Sequence, residues 1–431
     1  MYRESINDLI NWKLNNDKKP LVVYGARQVG KTYLIQTFGK TAYRQMAYIN
    51  FERAEKMRDI FLADLDPQRL ITAFELYTGL KITPEDTLIV LDEIQAAPRG
   101  ITSLKYFYEE ARTYHIIAAG SLLGINIHRG ESFPVGKVDM LTLYPMSFYE
   151  FLIAMGEENG LARIIHEKHF DMMPVFYEKF KEYLKYYFYI GGMPEAVAAF
   201  AESRDWKKSR AIQQKILKNY RNDFSKHVPK ELLPRINMVW DSTPSQLAKQ
   251  NKKFIYGVLK EGARAKEYEL AIQWLTDAGL LHKIHAITKP ASPLVSYQDF
   301  SAFKLYHNDI GLLGAMSKLK AKILVEGDSI FDEFKGSLTE QFVFQQLLLK
   351  EDISINYYPF DNGRYELDFL IDNDDGDIIP IEVKAGENLS APSFKVYCER
   401  HKPKIAIKTS LSNYKPESWM LNLPLYLINI L

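Results

Sequence analysis

Cysteine is almost absent: Cys398 is the only one in 431 residues, which excludes an internal disulfide framework and any cysteine-built zinc site. An excess of one charge is missing too. The 55 Lys and Arg nearly cancel the 54 Asp and Glu, so no global field points to a nucleic-acid or membrane partner, and only local clustering can. No apolar run approaches the ~18 residues of a membrane-spanning helix, so no membrane span is expected. The start Met1-Tyr2-Arg3-Glu4-Ser5 has no apolar h-region; no signal peptide is expected and the chain reads as cytoplasmic. Its histidines lack metal-ligand spacing and no G-x-S-x-G elbow occurs, which sets aside zinc centres and hydrolase triads. There is no internal repeat and no low-complexity linker. What remains is a globular composition, 47% hydrophobic and 25% charged, in a chain long enough for two or three domains.

Residues 1–150 alternate helical and strand patterns. An amphipathic start (Ile6, Leu9, Ile10, Leu14) leads into the short apolar run Leu21–Tyr24, and further runs follow at Met46–Phe51, Thr87–Leu91 and His115–Ala119. Apolar runs separated by helix-length stretches predict a parallel sheet covered on both faces. From about 150 to 230 the pattern turns helical and aromatic, with Phe176, Phe180, Tyr183, Tyr187 and Phe188 as a core stripe that Gly191-Gly192-Met193-Pro194 breaks. A second helix, about Trp206–Phe224, has a basic face: residues 204–230 hold nine Lys or Arg against Asp205 and Asp223. The expected division is 1–160, 161–230, 231–299 and 300–431, in an α/β multidomain chain.

Gly25-Ala26-Arg27-Gln28-Val29-Gly30-Lys31-Thr32 fits G-x-x-x-x-G-K-[ST] at every required position. A strand precedes it and Tyr33–Phe38 can continue as helix, which is the context a P-loop needs. The loop N–H groups and the helix N-terminus would hold the phosphates of ATP, Lys31 would reach the β- and γ-phosphates, and Thr32 would ligate Mg²⁺. Leu88-Ile89-Val90-Leu91-Asp92-Glu93 is an apolar strand ending in two carboxylates. There Asp92 would hold the metal through water and Glu93 would position the attacking water. Ser121, just past His115–Ala119, is the candidate sensor of the γ-phosphate, and Arg27 and Arg129 are candidate charge stabilisers.

These residues carry a family resemblance. Residues 25–32, Ile49-Asn50-Phe51-Glu52, Leu91-Asp92-Glu93-Ile94-Gln95, Ala119-Gly120-Ser121, Leu143-Tyr144-Pro145-Met146-Ser147-Phe148-Tyr149-Glu150-Phe151 and Gly191-Gly192-Met193-Pro194 resemble a bacterial and archaeal group of AAA-type ATPases. In that group the ATPase is fused to a C-terminal domain of unknown function. The resemblance spans nearly the whole chain in order and implies ATP binding and hydrolysis, with no settled cellular role. Ala119 departs from the threonine that the group often has before the glycine, leaving Ser121 as the hydroxyl there.

In the middle, Ser245-Gln246-Leu247-Ala248-Lys249 reads as the opening of a winged helix-turn-helix module. Its second helix would be Ala265–Ala278, and a wing strand would begin near Leu280. Residues 245–290 carry eight basic residues against four acids. Two readings stand side by side here: a DNA-reading module presenting Arg264 and Lys266, and a protein–protein spacer. The basic face of 204–230 leans toward nucleic acid.

Near the C-terminus, the alternating strand Tyr365–Ile371 is followed by the turn Asp374–Asp377 and the strand Ile378–Lys384. An Asp ending one strand with E-x-K on its hairpin partner resembles the PD-(D/E)xK restriction-endonuclease-like class. Asp368, Glu382 and the helix acid Glu340 would share a Mg²⁺, with Lys384 steadying charge or water. Such folds also persist as inactive binding modules. The leading function is therefore an ATPase, a hydrolase of MgATP, acting on or regulated by nucleic acid, with a nuclease-like C-terminal domain. The alternative is a nucleotide-driven signalling or defence switch whose C-terminal domain only binds. Partners read from sequence are ATP, double-stranded DNA and other protein subunits, with no membrane.

Overall fold

The computed structural model describes residues 1–121, 133–249, 252–322, 335–350, 353–386 and 391–431. It separates into two compact units: Tyr2–Pro145 with Asp277–Leu280, and Met146–Thr276 with Leu281–Leu431. Among the described residues no helix is long and apolar enough to cross a membrane.

The N-terminal unit is built on five parallel strands: β1 (Leu21–Tyr24), β2 (Gln45–Asn50), β3 (Thr87–Asp92), β4 (His115–Ala119) and β5 (Asp139–Thr142). Their order is β2-β3-β4-β1-β5, every pair parallel. β3 and β4 are buried at each position, which is why they read as unbroken apolar runs and not as alternation. Val22, Ile49, Ile89, Leu91 and Ile116 form the core with Phe51, Phe61 and Phe74. Helix Pro67–Thr78 shows the local grammar: Asp66 accepts from Arg69 N, Pro67 opens the first turn and Gly79 ends it at φ 69°. The register sets Val23 beside Ala119 and Asp92 beside Ala119. The C-terminal ends of β1, β4 and β3 therefore meet along one edge, where loops of a parallel sheet gather.

In the C-terminal unit, helix Tyr177–Ile190 buries Phe180, Tyr183, Tyr187 and Phe188 and stops at Gly191, φ 72°. Phe176 only caps it and stays 39% exposed. Helix Trp206–His227 starts on Asp205, which accepts from Lys207 N and Lys208 N, and buries Ile216, Leu217, Tyr220 and Phe224. Helix Leu233–Leu247 runs through Pro244. Ser245-Gln246-Leu247 therefore finish a helix, contrary to the expectation that they open one. The reason is that the apolar series Ile236, Val239, Trp240, Thr243 and Leu247 keeps one buried face past the proline.

Helix Ala265–Asp277 is followed by β6 (Leu281–Ile287) and β7 (Gln298–His307), an antiparallel hairpin. They join β8 (Asn356–Phe360), β9 (Tyr365–Asp372), β10 (Ile378–Val383), β11 (Ile407–Ser410), β12 (Lys415–Pro416) and β13 (Leu421–Pro424) in one sheet, ordered β12-β13-β11-β10-β9-β8-β6-β7. The boundary expected at 299/300 thus falls inside β7. Nor do the boundaries near 160 and 230 mark the division between units, which lies at Pro145/Met146. Helix Lys335–Leu347 shows why these segments cohere: its buried glutamines complete backbone groups elsewhere. Gln341 takes His307 N (2.9 Å) and donates to His307 O (2.6 Å), Gln345 takes Ile310 N (2.9 Å), and Gln346 takes Phe148 N (2.8 Å). Each would otherwise be a buried amide without a partner.

Helix Ile310–Met316 lies so close to the end of the 177–190 helix that a Cβ on Gly311 would stand 2.3 Å from Ile190 O and 2.6 Å from Gly191 N. Both are backbone atoms that cannot swing aside. Gly311→Ala should destabilise the unit by about 1–3 kcal/mol through overpacking, read as a lower urea midpoint at unchanged slope. An unchanged midpoint would show the two helices free to part.

Candidate functional site

β1 runs into a loop in which Gly25 adopts φ 142°, and a Cβ there would lie 2.2 Å from Leu143 O; only glycine fits. Gln28 (φ 70°) and Gly30 (φ 98°) bend the chain before helix Lys31–Ala42, whose first turn has no side-chain cap. Its N–H groups are thus open toward the loop. Lys31 is buried, and its ammonium donates to Gly25 O (2.7 Å) and Ala26 O (2.9 Å). Burial draws Lys31 down to about 8, against the pull of Glu93 and Asp92, while Arg27 pushes it further down. Ala26 and Val29 are buried, Arg27 is half-buried, and Tyr33 faces outward, 51% exposed. Gln28 Oε1 is buried with no hydrogen-bond partner.

Asp92, at the end of β3, gathers the donors around it. Its Oδ2 accepts from Thr32 Oγ1 (3.0 Å), Tyr48 Oη (2.5 Å) and Asn50 Nδ2 (3.3 Å), and its Oδ1 accepts from Glu93 N (3.1 Å). Glu93 follows at φ 52°, a left-handed conformation that aims its side chain away from the strand's alternation. Burial raises the Glu93 carboxyl; the hydrogen bond from Gln95 Nε2 (2.5 Å) opposes that, and the charges of Asp92 and Glu52 add to it. Ser121 is half-buried just past β4, between the strands that carry the loop and Asp92. Arg129 lies outside the described residues.

Several residues here went unassigned in the sequence. Asn50 and Gln95 stood in quoted motif stretches without a role, and Tyr48 stood beside one. Arg3 had no signal at all. Its Nη1 donates to Val29 O (2.7 Å) and its Nη2 to Tyr144 O (2.6 Å), partners 26 and 141 residues away.

In the C-terminal unit, β9 and β10 form the expected hairpin, with Gly376 N donating to Asn373 O in the turn. Pairs Ile379–Ile371 and Ile381–Phe369 set the register; one step on, Glu382 comes opposite Asp368, with both side chains on one face. Asp368 Oδ2 accepts from Val383 N (2.8 Å), and Glu382 Oε1 from Lys384 Nζ (2.7 Å). Glu340, on helix Lys335–Leu347, takes Lys252 Nζ and Tyr306 Oη. Lys304 Nζ donates to Glu366 Oε1 (2.6 Å) from a fully buried position.

The expected metal set of Glu340, Asp368 and Glu382 needs correction. Among the described residues no group of three or more His, Cys, Asp or Glu is arranged to hold a metal ion. Burial raises Asp368 well above the usual carboxyl range, with Glu340 and Glu382 adding to it, and its side chain hydrogen-bonds Glu340. Lys252 and Lys384 already occupy Glu340 and Glu382, and the residues as arranged do not fit a divalent cation.

Comparison with known proteins matches three segments of the chain. Residues 17–152 match the sequence pattern of the AAA domain. Residues 17–152 form an AAA-type P-loop domain. Residues 181–323 and 335–427 match two domains of unknown function, DUF8612 and DUF4143. An uncharacterized protein of Methanocaldococcus jannaschii, MJ1637, is 26% identical over 207 residues, 44% of this chain; the match spans 42% of that protein's length. Among solved structures, the Walker-type ATPase PABY2304 of Pyrococcus abyssi overlaps 73% of this chain and 95% of its own, at 12% identity and a TM-score of 0.44. The Aeropyrum pernix ORC1 protein, solved in complex with DNA, overlaps 74% and 93%, at 13% identity and 0.29. Such loose superpositions place no residue.

For the AAA domain, the residues present fit a nucleoside triphosphate and a hard divalent cation. Thr32 and Asp92 offer oxygens 3.0 Å apart, the donor type Mg²⁺ takes, and the uncapped helix start suits phosphate. Lys31 must be protonated to hold phosphate, and the free group titrates at about 8. ATP affinity should therefore be full at pH ~6.5 and fall about tenfold per unit above pH ~8 as the proton is lost. Lys31→Arg should flatten that profile, and Lys31→Ala should abolish binding. A dissociation constant that stays level to pH ~9.5 in the parent protein would place the titration elsewhere.

Proposed function

We propose that this chain hydrolyses MgATP and that nucleic acid receives or regulates the work. The contact that carries the ATPase reading is Thr32 to Asp92, which ties the P-loop helix to β3 and leaves Glu93 as the next residue. Lys31 leaves the Gly25 and Ala26 carbonyls for the β- and γ-phosphates, and the loop N–H groups hold the same oxygens. Thr32 and Asp92 would hold Mg²⁺, which would supply charge neutralisation at the phosphates. Glu93 orients the attacking water, and burial raises its proton affinity, as a base requires. Ser121 reads the γ-phosphate from the end of β4, and Arg27 stabilises developing charge. Glu93→Gln should bind ATP with the parent's affinity and hydrolyse it at least about a hundredfold more slowly. Parent-like turnover by Glu93→Gln would remove Glu93 from this role.

Support for nucleic acid is the exposed basic surface. Lys253, Arg264 and Lys266 are exposed around the start of helix Ala265–Asp277. The helix and its following hairpin support the winged-helix reading. Lys252 drops out of this set, being buried against Glu340. The basic face of helix Trp206–His227 is partly neutralised by Lys208–Glu202, Lys215–Glu195 and Arg221–Asp241. The remaining cations predict weak, salt-steep and sequence-tolerant binding to duplex DNA that stimulates ATP hydrolysis. Charge reversal at Lys253, Arg264 and Lys266 together should remove both effects in fluorescence anisotropy and ATPase assays. A parent protein that binds no duplex at low salt would favour the protein-switch reading.

The C-terminal sheet is proposed as a restriction-endonuclease-like fold whose acidic residues Glu340, Glu366 and Glu382 are paired with its own lysines. It then binds without cutting: incubation of plasmid or single-stranded DNA with Mg²⁺ or Mn²⁺ should give no product. Cleavage that disappears in Asp368→Ala would reinstate a nuclease.

A further inference from the structure

Two features of the N-terminal unit have no part in the roles assigned so far: the buried arginine three residues into the chain, and the stretch Leu143-Tyr144 that follows β5. They meet beneath the P-loop. Gly25 rests on the Leu143 carbonyl with no space for a Cβ, and Leu143 N is itself held by Tyr24 O (2.8 Å). Arg3 is 5% exposed, and its two terminal nitrogens bridge Val29 O and Tyr144 O. The guanidinium thus clips the middle of the loop to the same backbone on which its first glycine rests.

We infer that Arg3 is a positioning residue of the phosphate site, acting through the carbonyl of Val29; the inference rests on the ATPase reading. In a planar trans peptide the C=O and the next N–H point in opposite directions. Drawing Val29 C=O toward Arg3 therefore turns Gly30 N–H the other way, into the concavity where loop amides collect phosphate oxygens. A planar fork with several donors can fix two carbonyls in one geometry, whereas an ammonium on a flexible stem can satisfy only one of them well. Leu143-Tyr144 thereby acquires a function: its carbonyls are the fixed floor against which the loop is held. Because the loop grips the phosphates shared by substrate and product, Arg3 acts on the binding of ATP and ADP alike. Its effect on the chemical step at saturating ATP is small, since Glu93 is held separately by Gln95 and the end of β3.

The test uses the full chain with Arg3→Met, which keeps the stem and removes the donors, and Arg3→Lys, which keeps the charge. Fluorescent ATP and ADP analogues give dissociation constants in the presence of Mg²⁺, steady-state assays give kcat and KM, and melting curves report folding. Arg3→Met should raise the dissociation constants for both nucleotides and KM about tenfold or more, the loss of a charge-assisted hydrogen bond. At saturating ATP, kcat should stay within about threefold of the parent, and Arg3→Lys should fall between the two. A folded Arg3→Met protein that binds both nucleotides as tightly as the parent, even with a lower Tm, overturns the inference and leaves Arg3 a structural tie. Should Arg3→Met fail to fold, parent-like affinity in Arg3→Lys overturns it equally. A parent protein that binds neither nucleotide overturns the ATPase reading instead, and this inference with it.

Discussion

The N-terminal unit depends on satisfying one buried carboxylate. Asp92 is 3% exposed at the end of a strand buried at every position, and an ion there is tolerable only if its lone pairs are filled. Thr32, Tyr48, Asn50 and the Glu93 amide fill them. Thr32 brings the P-loop helix, Tyr48 and Asn50 bring β2, and the Glu93 amide fixes the turn that ends β3. One desolvation requirement therefore sets the relative placement of three elements. The parallel sheet supplies the rest, because strands running the same way must deliver their loops to one edge.

The C-terminal unit solves the same problem with several charges. Glu340, Glu366 and Glu382 are paired with Lys252, Lys304 and Lys384, and burial together with like charge raises the proton affinity of Asp368. Removing Lys252 or Lys384 would strand a buried carboxylate, a costlier change than replacing a whole pair by apolar groups. The hairpin pattern that suggested a metal-dependent enzyme is real as geometry. Two of the three lysines, Lys252 and Lys304, lie outside that pattern.

What could be read in the sequence follows from the range over which each signal acts. β1 and β4 have the bounds that their apolar runs predict, and the Walker glycines place their loop, because both signals are local. Asp368, Glu382 and Lys384 were legible for the same reason: one tight turn joins them. Lys252 reaches Glu340 across 88 residues and Arg3 reaches Tyr144 across 141, and no periodicity links such positions. Ser245-Gln246-Leu247 reads as the opening of a helix, while the buried face of Leu233–Leu247 continues through Pro244 to Gln246 and Leu247. The expected boundary at 300 lies inside β7, which pairs with β6 and enters a sheet whose other members lie farther along the chain.

Lys31 spends its hydrogen bonds on the carbonyls of its own loop, Gly25 and Ala26. Any anion entering the site competes with those carbonyls, which are tethered and hence always at high effective concentration. The ammonium therefore closes its own loop, and an acceptor reaches it only by outcompeting two tethered carbonyls at once.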